Sequence, residues 1–112
     1  MTMAVRITRA ADAQPYSPPH HTGVDARRLQ SVDAFWVGLS VYQPGGAAET
    51  SPTAQDTVYV VLDGSLVLSV SSEEIEETLR PGDSVHLPRG TVRSVRNLAG
   101  TAARLLVVMV SS

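Results

Sequence analysis

Two residue types are missing from this chain of 112 residues, and each absence excludes a class of chemistry. There is no cysteine, which excludes disulfides, thiolate nucleophiles, iron–sulfur clusters and Cys-ligated zinc sites. All nine cationic residues are arginine, so Schiff-base chemistry on an internal lysine is excluded as well. Three histidines, three tyrosines, eleven carboxylates and the hydroxyl side chains remain as candidates for catalysis.

Long apolar runs and an excess of one charge are also absent. The N-terminus has no apolar core of the kind found in secretion signals, and no later stretch approaches the roughly 18 apolar residues of a membrane span. The formal net charge is −2, and no basic run indicates binding to nucleic acid or to an anionic membrane. With 43% hydrophobic residues, the chain has enough apolar material for one core. We therefore expect a single globular domain in the cytoplasm, with no nucleic-acid or membrane partner.

Short β-favouring runs separated by turn residues dominate the chain. Strong strands are predicted at 35–42, 57–62, 65–70 and 104–110, and weaker ones at 4–8, 27–32, 75–79, 83–87 and 91–96. Turns are predicted at 44–46, 63–64, 81–83 and 88–90, where proline, glycine and aspartate cluster, and Asp63-Gly64 reads as a tight hairpin. No stretch of ten residues has helical periodicity, and the EEIEE run at 73–77 is interpreted as an exposed strand edge. The predicted fold class is all-β, a sandwich or a barrel.

Residues 44–97 resemble the two motifs of the cupin superfamily, which are small double-sheet β-barrels with a central site. The second motif, G-x5-P-x-G-x2-H-x3-N, matches at Gly82, Pro88, Gly90 and Asn97, with Arg93 at the histidine position. The resemblance implies a cupin-like double-stranded β-helix, or jelly-roll barrel. We expect residues 1–26 to form an extended N-terminal arm and residues 27–112 to form the barrel.

The first motif, G-x5-H-x-H-x3,4-E-x6-G, is present without its metal ligands. Counting back from Gly64 places Thr57 at the glutamate position and Ser51 and Thr53 at the two histidine positions. Neutral hydroxyls and the guanidinium of Arg93 are poor ligands for a divalent ion. The resemblance therefore implies the fold without a metal, and we expect neither a metal nor another cofactor.

Arg93 should be the central binding group if it points into the barrel. A buried guanidinium must be paired, and its planar donors suit a carboxylate, phosphate or enolate oxygen. The predicted ligand is therefore a small, anionic, oxygen-rich molecule, with Ser51, Thr53 and Thr57 lining the floor of the site. A structural salt bridge, or a side chain turned to solvent, is the alternative interpretation.

The histidines are candidates for proton transfer, because an imidazole titrates near neutral pH. Alternation in SVHLP predicts that His86 shares the lumen with Thr57, where Glu49 would orient it. His20 and His21 lie in a proline-rich lead-in that should run extended over the mouth of the barrel. These three histidines and Glu49 could alternatively form an unorthodox metal site, and solvent-facing histidines are the plainer alternative.

The few aromatic residues are candidates for the ligand site. Phe35 and Trp36 point to opposite faces of one strand, so one of them must enter the barrel, and Trp36 is the candidate for substrate contact. Tyr59 has the same parity as Thr57 and could donate a proton or stabilise an oxyanion, unless it is an ordinary strand tyrosine. Strands 58–62 and 105–110 are apolar on both faces, which predicts a homodimer.

Two functions from different classes follow from these residues. The first is a metal-independent, non-redox enzyme that performs isomerisation, cyclisation, dehydration or decarboxylation. Its catalytic groups would be His86, His21, Tyr59 and Glu49, and its binding groups Arg93, Ser51, Thr53, Thr57 and Trp36. The second is a module that binds or senses a metabolite without transforming it.

Overall fold

The structure, a computed structural model, describes residues 5–111, and nearly all of its regular structure is β-strand. The strands are β1 (Gln14–Tyr16), β2 (His21–Ser31), β3 (Phe35–Pro52), β4 (Thr57–Asp63), β5 (Leu66–Val70), β6 (Ile75–Leu79), β7 (Ser84–Leu87), β8 (Val92–Arg96) and β9 (Ala103–Val110). Two short 3-10 turns, Ala10–Asp12 and Ser71–Glu73, interrupt them. The four strong strand predictions are confirmed. The strand predicted at 4–8 is wrong for residues 5–8, which lie outside any strand, and Ala4 lies outside the described residues.

The strands form two walls that share the long strand β3. The antiparallel order is β6-β5-β8-β3-β9-β4-β7, with β2 paired along β3 and β1 paired to β2. The first half of β3 pairs with β9, and its second half pairs with β8, so β3 passes from one wall to the other. The all-β barrel expected from the sequence is therefore present.

The glycines at 44–46 bend β3 instead of reversing the chain. Gly45 adopts a φ of 82°, and its N–H donates to Asn97 O at 2.9 Å, while Asn97 N–H donates to Gly46 O at 2.9 Å. Backbone pairing thus continues through the bend. The turn predicted here is a kink within one 18-residue strand.

The tight hairpin predicted at Asp63-Gly64 is wrong, because the strands on either side belong to different walls. β4 pairs with β7 and β9, whereas β5 pairs with β6 and β8. The junction carries the chain across the barrel, so that Leu66 and Leu68 face the core from the wall opposite Val61. A hairpin would have placed all three side chains on one wall.

One continuous core fills the space between the walls. It is built mainly from the inward residues of β4, β5, β7, β8 and β9, and its larger buried aliphatic members are Val61, Leu66, Leu68, Val70, Leu87, Val95, Leu105 and Val107. The run at 73–77 ends in the edge strand β6, whose residues 75–78 are exposed, as predicted.

Within residues 5–111, no helix has the length and apolar character needed to cross a bilayer. β2 spans the predicted boundary between arm and barrel at residue 26, and that domain division stays a prediction.

Candidate functional site

A cavity of about 590 Å³ opens between the two walls at the end where β2 begins. This size lies within the usual range of sites for small molecules. The polar and aromatic side chains that line it come from β1, β2, β3, β4 and β8 and from the segments between β1 and β2 and between β3 and β4. They are Tyr16, Ser17, His20, His21, Arg28, Trp36, Ser40, Tyr42, Ser51, Thr53, Thr57, Tyr59 and Arg93.

Arg93 enters this cavity from β8 and is only 7% exposed. Its backbone pairs with Ser51 on β3, and alternation along β8 buries Val95 on the same face. Its Nε donates to Tyr59 Oη at 3.0 Å, and its Nη1 donates to Ser51 Oγ at 3.0 Å and to Glu49 O at 3.3 Å. The bond to Tyr59 joins β8 on one wall to β4 on the other.

The guanidinium of Arg93 is held by neutral acceptors alone. Within residues 5–111, the ion pairs are Arg27–Asp25, His86–Asp56 and Arg96–Glu76, and none includes Arg93. Nη2 of Arg93 has no hydrogen-bond partner among the described residues, yet it is not sealed from solvent. A buried cation of this kind favours an anion that can reach its free donors.

The three hydroxyl residues at the metal-ligand positions all line the cavity, but the hydroxyls of two of them form hydrogen bonds with backbone atoms. Thr53 Oγ1 donates to Pro88 O at 2.9 Å and accepts from Thr91 N–H at 3.1 Å. Thr57 Oγ1 donates to Gln55 O at 2.8 Å. Ser51 Oγ is therefore the hydroxyl that belongs to the Arg93 network, whereas the two threonines shape the floor.

His21 lies at the rim of the cavity, where a strained turn leads into β2. His20 adopts a φ of 62°, a left-handed conformation that is uncommon for a side chain larger than glycine, and its carbonyl accepts from Glu49 N–H at 2.7 Å. Nδ1 of His21 lies 2.8 Å from Pro19 O. Because a carbonyl can only accept, Nδ1 carries the hydrogen, and the neutral ring keeps a lone pair on Nε2.

Burial lowers the pKa of His21 below its usual value, and the positive charges of Arg93 and His20 act in the same direction. The hydrogen bond to Pro19 opposes this shift and does not reverse it. Near neutral pH, His21 is therefore an uncharged imidazole. In that state it can accept a proton from a ligand in the cavity.

Aromatic residues form one side of the cavity. Trp36 and Tyr16 contact each other edge to face, with ring centroids 5.0 Å apart. Trp36 lines the cavity, while Phe35 is 43% exposed on the outer face, so alternation separates the two rings as expected. Burial raises the pKa of Tyr42, whose ring lies 6.4 Å from that of His21. Trp36 thus offers a ring on which a small ligand can stack.

The predicted placement of His86 and Glu49 in the lumen is wrong. β7 pairs with β4 so that Leu87 lies beside Thr57 and His86 beside Val58, which turns His86 to the outer face. There its side chain is 60% exposed, and Nε2 lies 3.3 Å from Asp56 Oδ1. The Glu49 side chain is exposed as well and does not line the cavity, although its carbonyl contacts Arg93.

The residues present do not fit the divalent metal that the complete cupin motif would hold. Within residues 5–111, no three His, Asp or Glu side chains come close enough to share an ion. The unorthodox site of His20, His21, His86 and Glu49 is therefore not assembled, because its last two members face away from the cavity. Arg93 adds a positive charge at the place where the ion would lie.

Sequence reasoning missed several lining residues, and Tyr16 and Arg28 are the largest polar ones among them. Both lie in the segment predicted as an arm or at its edge, and they are placed by the pairing of β1 with β2. Tyr16 follows a proline in an extended segment, and it is one of only five aromatic residues in the chain. The scarcity of aromatic residues was the signal in the sequence that could have indicated Tyr16 as a ligand-contact residue.

A family model described as a cupin domain matches residues 38–109, which include both motifs. The chain belongs to the cupin domain family. The matched residues make up more than half of this chain and extend from the first half of β3 to β9. It confirms the jelly-roll barrel that the motif resemblance implied.

This cupin is similar in sequence to one named enzyme and in fold to several solved structures. The β-D-galactosidase Rv1717 of Mycobacterium tuberculosis is 48% identical over 110 residues, which cover 94% of this chain and 93% of that protein. The polyketide cyclase RemF from Streptomyces resistomycificus aligns with a TM-score of 0.84 at 23% identity, over 98% of this chain and 81% of that one. A sugar phosphate isomerase of the cupin superfamily from Silicibacter pomeroyi aligns with a TM-score of 0.72 at 27% identity, over 80% of this chain and 60% of that one.

Proposed function

We propose that this cupin is a metal-independent enzyme that performs proton-transfer chemistry on a small, anionic, sugar-derived substrate. The observation that carries the proposal is the buried guanidinium of Arg93, which faces a cavity of ligand size and has no carboxylate partner among the described residues. An anionic oxygen would supply the missing partner. The reaction uses no redox cofactor, and the enzyme acts in the cytoplasm.

Three side chains supply the chemistry in this proposal. Arg93 binds the anionic oxygen through its uncommitted Nη2. His21 accepts a proton at Nε2, because its ring is neutral and its Nδ1 is fixed by Pro19 O. Tyr59 Oη accepts from Arg93 Nε, which leaves its own hydrogen free to be donated to the substrate. His86 and Glu49 take no part.

A sugar ring is the substrate that the cavity and the named relatives support together. Trp36 offers a flat apolar surface, and Arg93, Ser51 and Tyr59 offer polar groups at one end. The names of two relatives refer to sugars, a β-D-galactosidase and a sugar phosphate isomerase. A galactose-configured ring that carries an acidic group is therefore the first candidate.

Calorimetry with D-galacturonate and D-galactose tests the charge preference directly, since the two sugars differ mainly in the carboxylate. A charge-assisted contact with Arg93 should make galacturonate bind roughly 10- to 100-fold more tightly. Arg93→Met should abolish this difference, and Arg93→Lys should reduce it while keeping a charge in the barrel. Arg104→Met, at an exposed position of β9, is the matched control. Equal affinities of the unmodified protein for both sugars would contradict the proposal.

Hydrolysis of neutral β-D-galactosides is a second candidate function, because the 48% identical relative is named for it. In that case Arg93 would bind neutral ring hydroxyls, as it already binds Ser51 and Tyr59. A chromogenic β-D-galactoside tests this function, with the α-anomer as the control substrate. Turnover that survives Arg93→Lys and needs no acidic group would favour it over the first proposal.

A comparison of turnover with affinity distinguishes a protein that only binds a sugar from an enzyme of either proposed kind. In an enzyme, His21→Gln should lower turnover while the affinity for the bound sugar changes little. His86→Gln, which alters an imidazole outside the cavity, should change neither quantity. Tight binding of a sugar that the protein never converts would identify a sensing or carrier module.

A further inference from the structure

The cavity has no carboxylate among its lining residues, although the chain has more acidic than basic residues. Its charged and titratable lining groups, apart from the tyrosines, are Arg28, Arg93, His20 and His21. The common route of glycoside hydrolysis needs two carboxyl groups, one to protonate the leaving oxygen and one to act as nucleophile or to activate water. These lining residues cannot supply that pair.

The same cavity does provide a base and an acid on opposite walls. His21 lies where β2 pairs with the second half of β3, on the wall that contains β8. Tyr59 lies on β4 in the other wall, where it pairs with Val85 and Val107. A ring bound in the cavity would therefore lie between the strand that carries His21 and the strand that carries Tyr59, whose hydroxyl contacts Arg93.

We infer that this cupin cleaves a 4-O-substituted galacturonate by elimination, a reaction that consumes no water. The inference rests on the proposed function and names its substrate class. Nε2 of His21 removes the hydrogen from C5, the carbon that carries the carboxylate. The C5–H electron pair forms a C4–C5 double bond as the C4–O bond breaks, and the leaving oxygen takes a proton from Tyr59. The products are a 4,5-unsaturated uronate and a free alcohol, so all atoms are accounted for.

Each part of this arrangement matches a requirement of the reaction. Removal of the C5 hydrogen places negative charge on the carboxylate, and Arg93 is the buried donor that would stabilise it. In the galacturonate ring, the C5 hydrogen and the C4 oxygen lie on opposite faces, so base and acid must act from opposite sides. His21 and Tyr59 enter the cavity from strands of opposing walls, and in this proposal they act on the two faces of the ring.

The test uses the intact protein with a short oligomer of 1,4-linked galacturonate and the corresponding oligomer of 1,4-linked galactose. We expect the acidic oligomer alone to yield a product with the ultraviolet absorbance of a conjugated unsaturated carboxylate. The masses of the two products should sum to the mass of the substrate, whereas hydrolysis would add the mass of one water. His21→Gln and Tyr59→Phe should each lower this rate by at least about a hundredfold with little change in affinity, and His86→Gln should leave it unchanged.

Different failures would overturn different statements. Cleavage into saturated products that together have gained the mass of one water would overturn elimination in favour of hydrolysis. Exchange of the C5 hydrogen with deuterated water, without cleavage, would also overturn elimination, but it would leave proton transfer on an acidic sugar standing. No binding of any galacturonate would overturn both this inference and the proposed function. Because Arg93→Met could prevent folding, the His21 and Tyr59 variants keep the test independent of that residue.

Discussion

At the scale of single residues, the proposed preference for an anionic ligand depends on Arg93. Its guanidinium occupies a position where the complete family motif has a metal ligand, and it is held by a tyrosine hydroxyl, a serine hydroxyl and backbone carbonyls. Those acceptors fix its orientation without cancelling its charge. The site therefore combines a preorganised cation with a neutral imidazole, which is suited to stabilising charge that develops on a substrate oxygen.

The half-buried imidazole of His21 predicts a pH dependence of stability. Its pKa is lowered in the folded protein, chiefly by burial, so the unfolded chain binds the proton more readily. The contribution of neutral His21 is fully present above the unfolded pKa of about 6.5 and is lost as the pH falls below that value. Urea unfolding of the unmodified protein should give a free energy of unfolding that decreases from pH 7 to pH 5, a range chosen to span about 6.5.

Replacement of the histidine isolates this effect from the titration of other groups. His21→Gln should make the free energy of unfolding less dependent on pH across the same range. His86→Gln removes an imidazole from the exposed outer face and is the matched control. If His21→Gln leaves the pH dependence as steep as in the unmodified protein, the imidazole of His21 is not its source.

At the scale of secondary-structure elements, strand register decides which side chains reach the cavity. Pairing of Leu87 with Thr57 turns Val85 and Leu87 inward and His86 outward. A shift of one residue would exchange the two faces of β7. Alternation along β7 places His86 on one face and Val85 and Leu87 on the other, but it does not show which face is buried. The register with β4 decides that.

The junction between β4 and β5 makes the chain cross from one wall to the other, and it depends on Gly64. The φ of Gly64 is 72°, and a Cβ built there would lie 2.7 Å from Ala102 O and 2.8 Å from Ala103 Cα. Gly64→Ala should therefore lower the free energy of unfolding by roughly 1 to 3 kcal/mol, through backbone strain and contact with an unyielding backbone. Chemical denaturation measures this change.

Gly100→Ala provides the matched control, because Gly100 has no positive φ and a Cβ there would meet nothing within 4 Å. Its effect should be small, and it could be slightly stabilising, since alanine restricts the unfolded chain more than glycine does. Equal losses of stability at the two positions would show that the close approach at Gly64 does not control the junction.

At the scale of the whole molecule, the outer face of β3, β9 and β4 is apolar and has no cover among the described residues. Val37 pairs with Val108 and Val108 with Val58, so valines from three strands lie side by side on this face. Phe35 and Leu62 are 43% and 47% exposed near them. A contiguous patch of this kind marks an interaction surface, and we propose that two copies of the chain associate through it.

A charge in the middle of this face should disrupt the proposed homodimer. We expect sedimentation of the unmodified protein at micromolar concentration to give twice the chain mass of 11.9 kDa. Val108→Glu should give the monomer, because a carboxylate cannot be buried there without a partner. Leu98→Glu, at a position that is 67% exposed and outside the face, should remain dimeric. A monomer in the unmodified protein would contradict the proposal.

The sequence by itself determined the all-β class, the family and the position of Arg93 at the metal-ligand site. These features depend on local properties, because alternation, turn glycines and motif spacing can all be recognised within short segments of the sequence. Gly82 and Gly90 adopt positive φ, and Asn97 is fully buried and donates to Tyr42 O and Thr101 O, which explains the motif positions that match.

Only the tertiary structure decided which of the candidate residues meet. It placed Tyr16 and Arg28 at the cavity through the pairing of β1 and β2 and His21 through the pairing of β2 and β3, and it turned His86 and Glu49 away. It also converted the predicted hairpin at Asp63-Gly64 into a crossing between walls. The physical reason is that the face a strand buries depends on its register with partners distant in sequence, a relation that no local pattern contains.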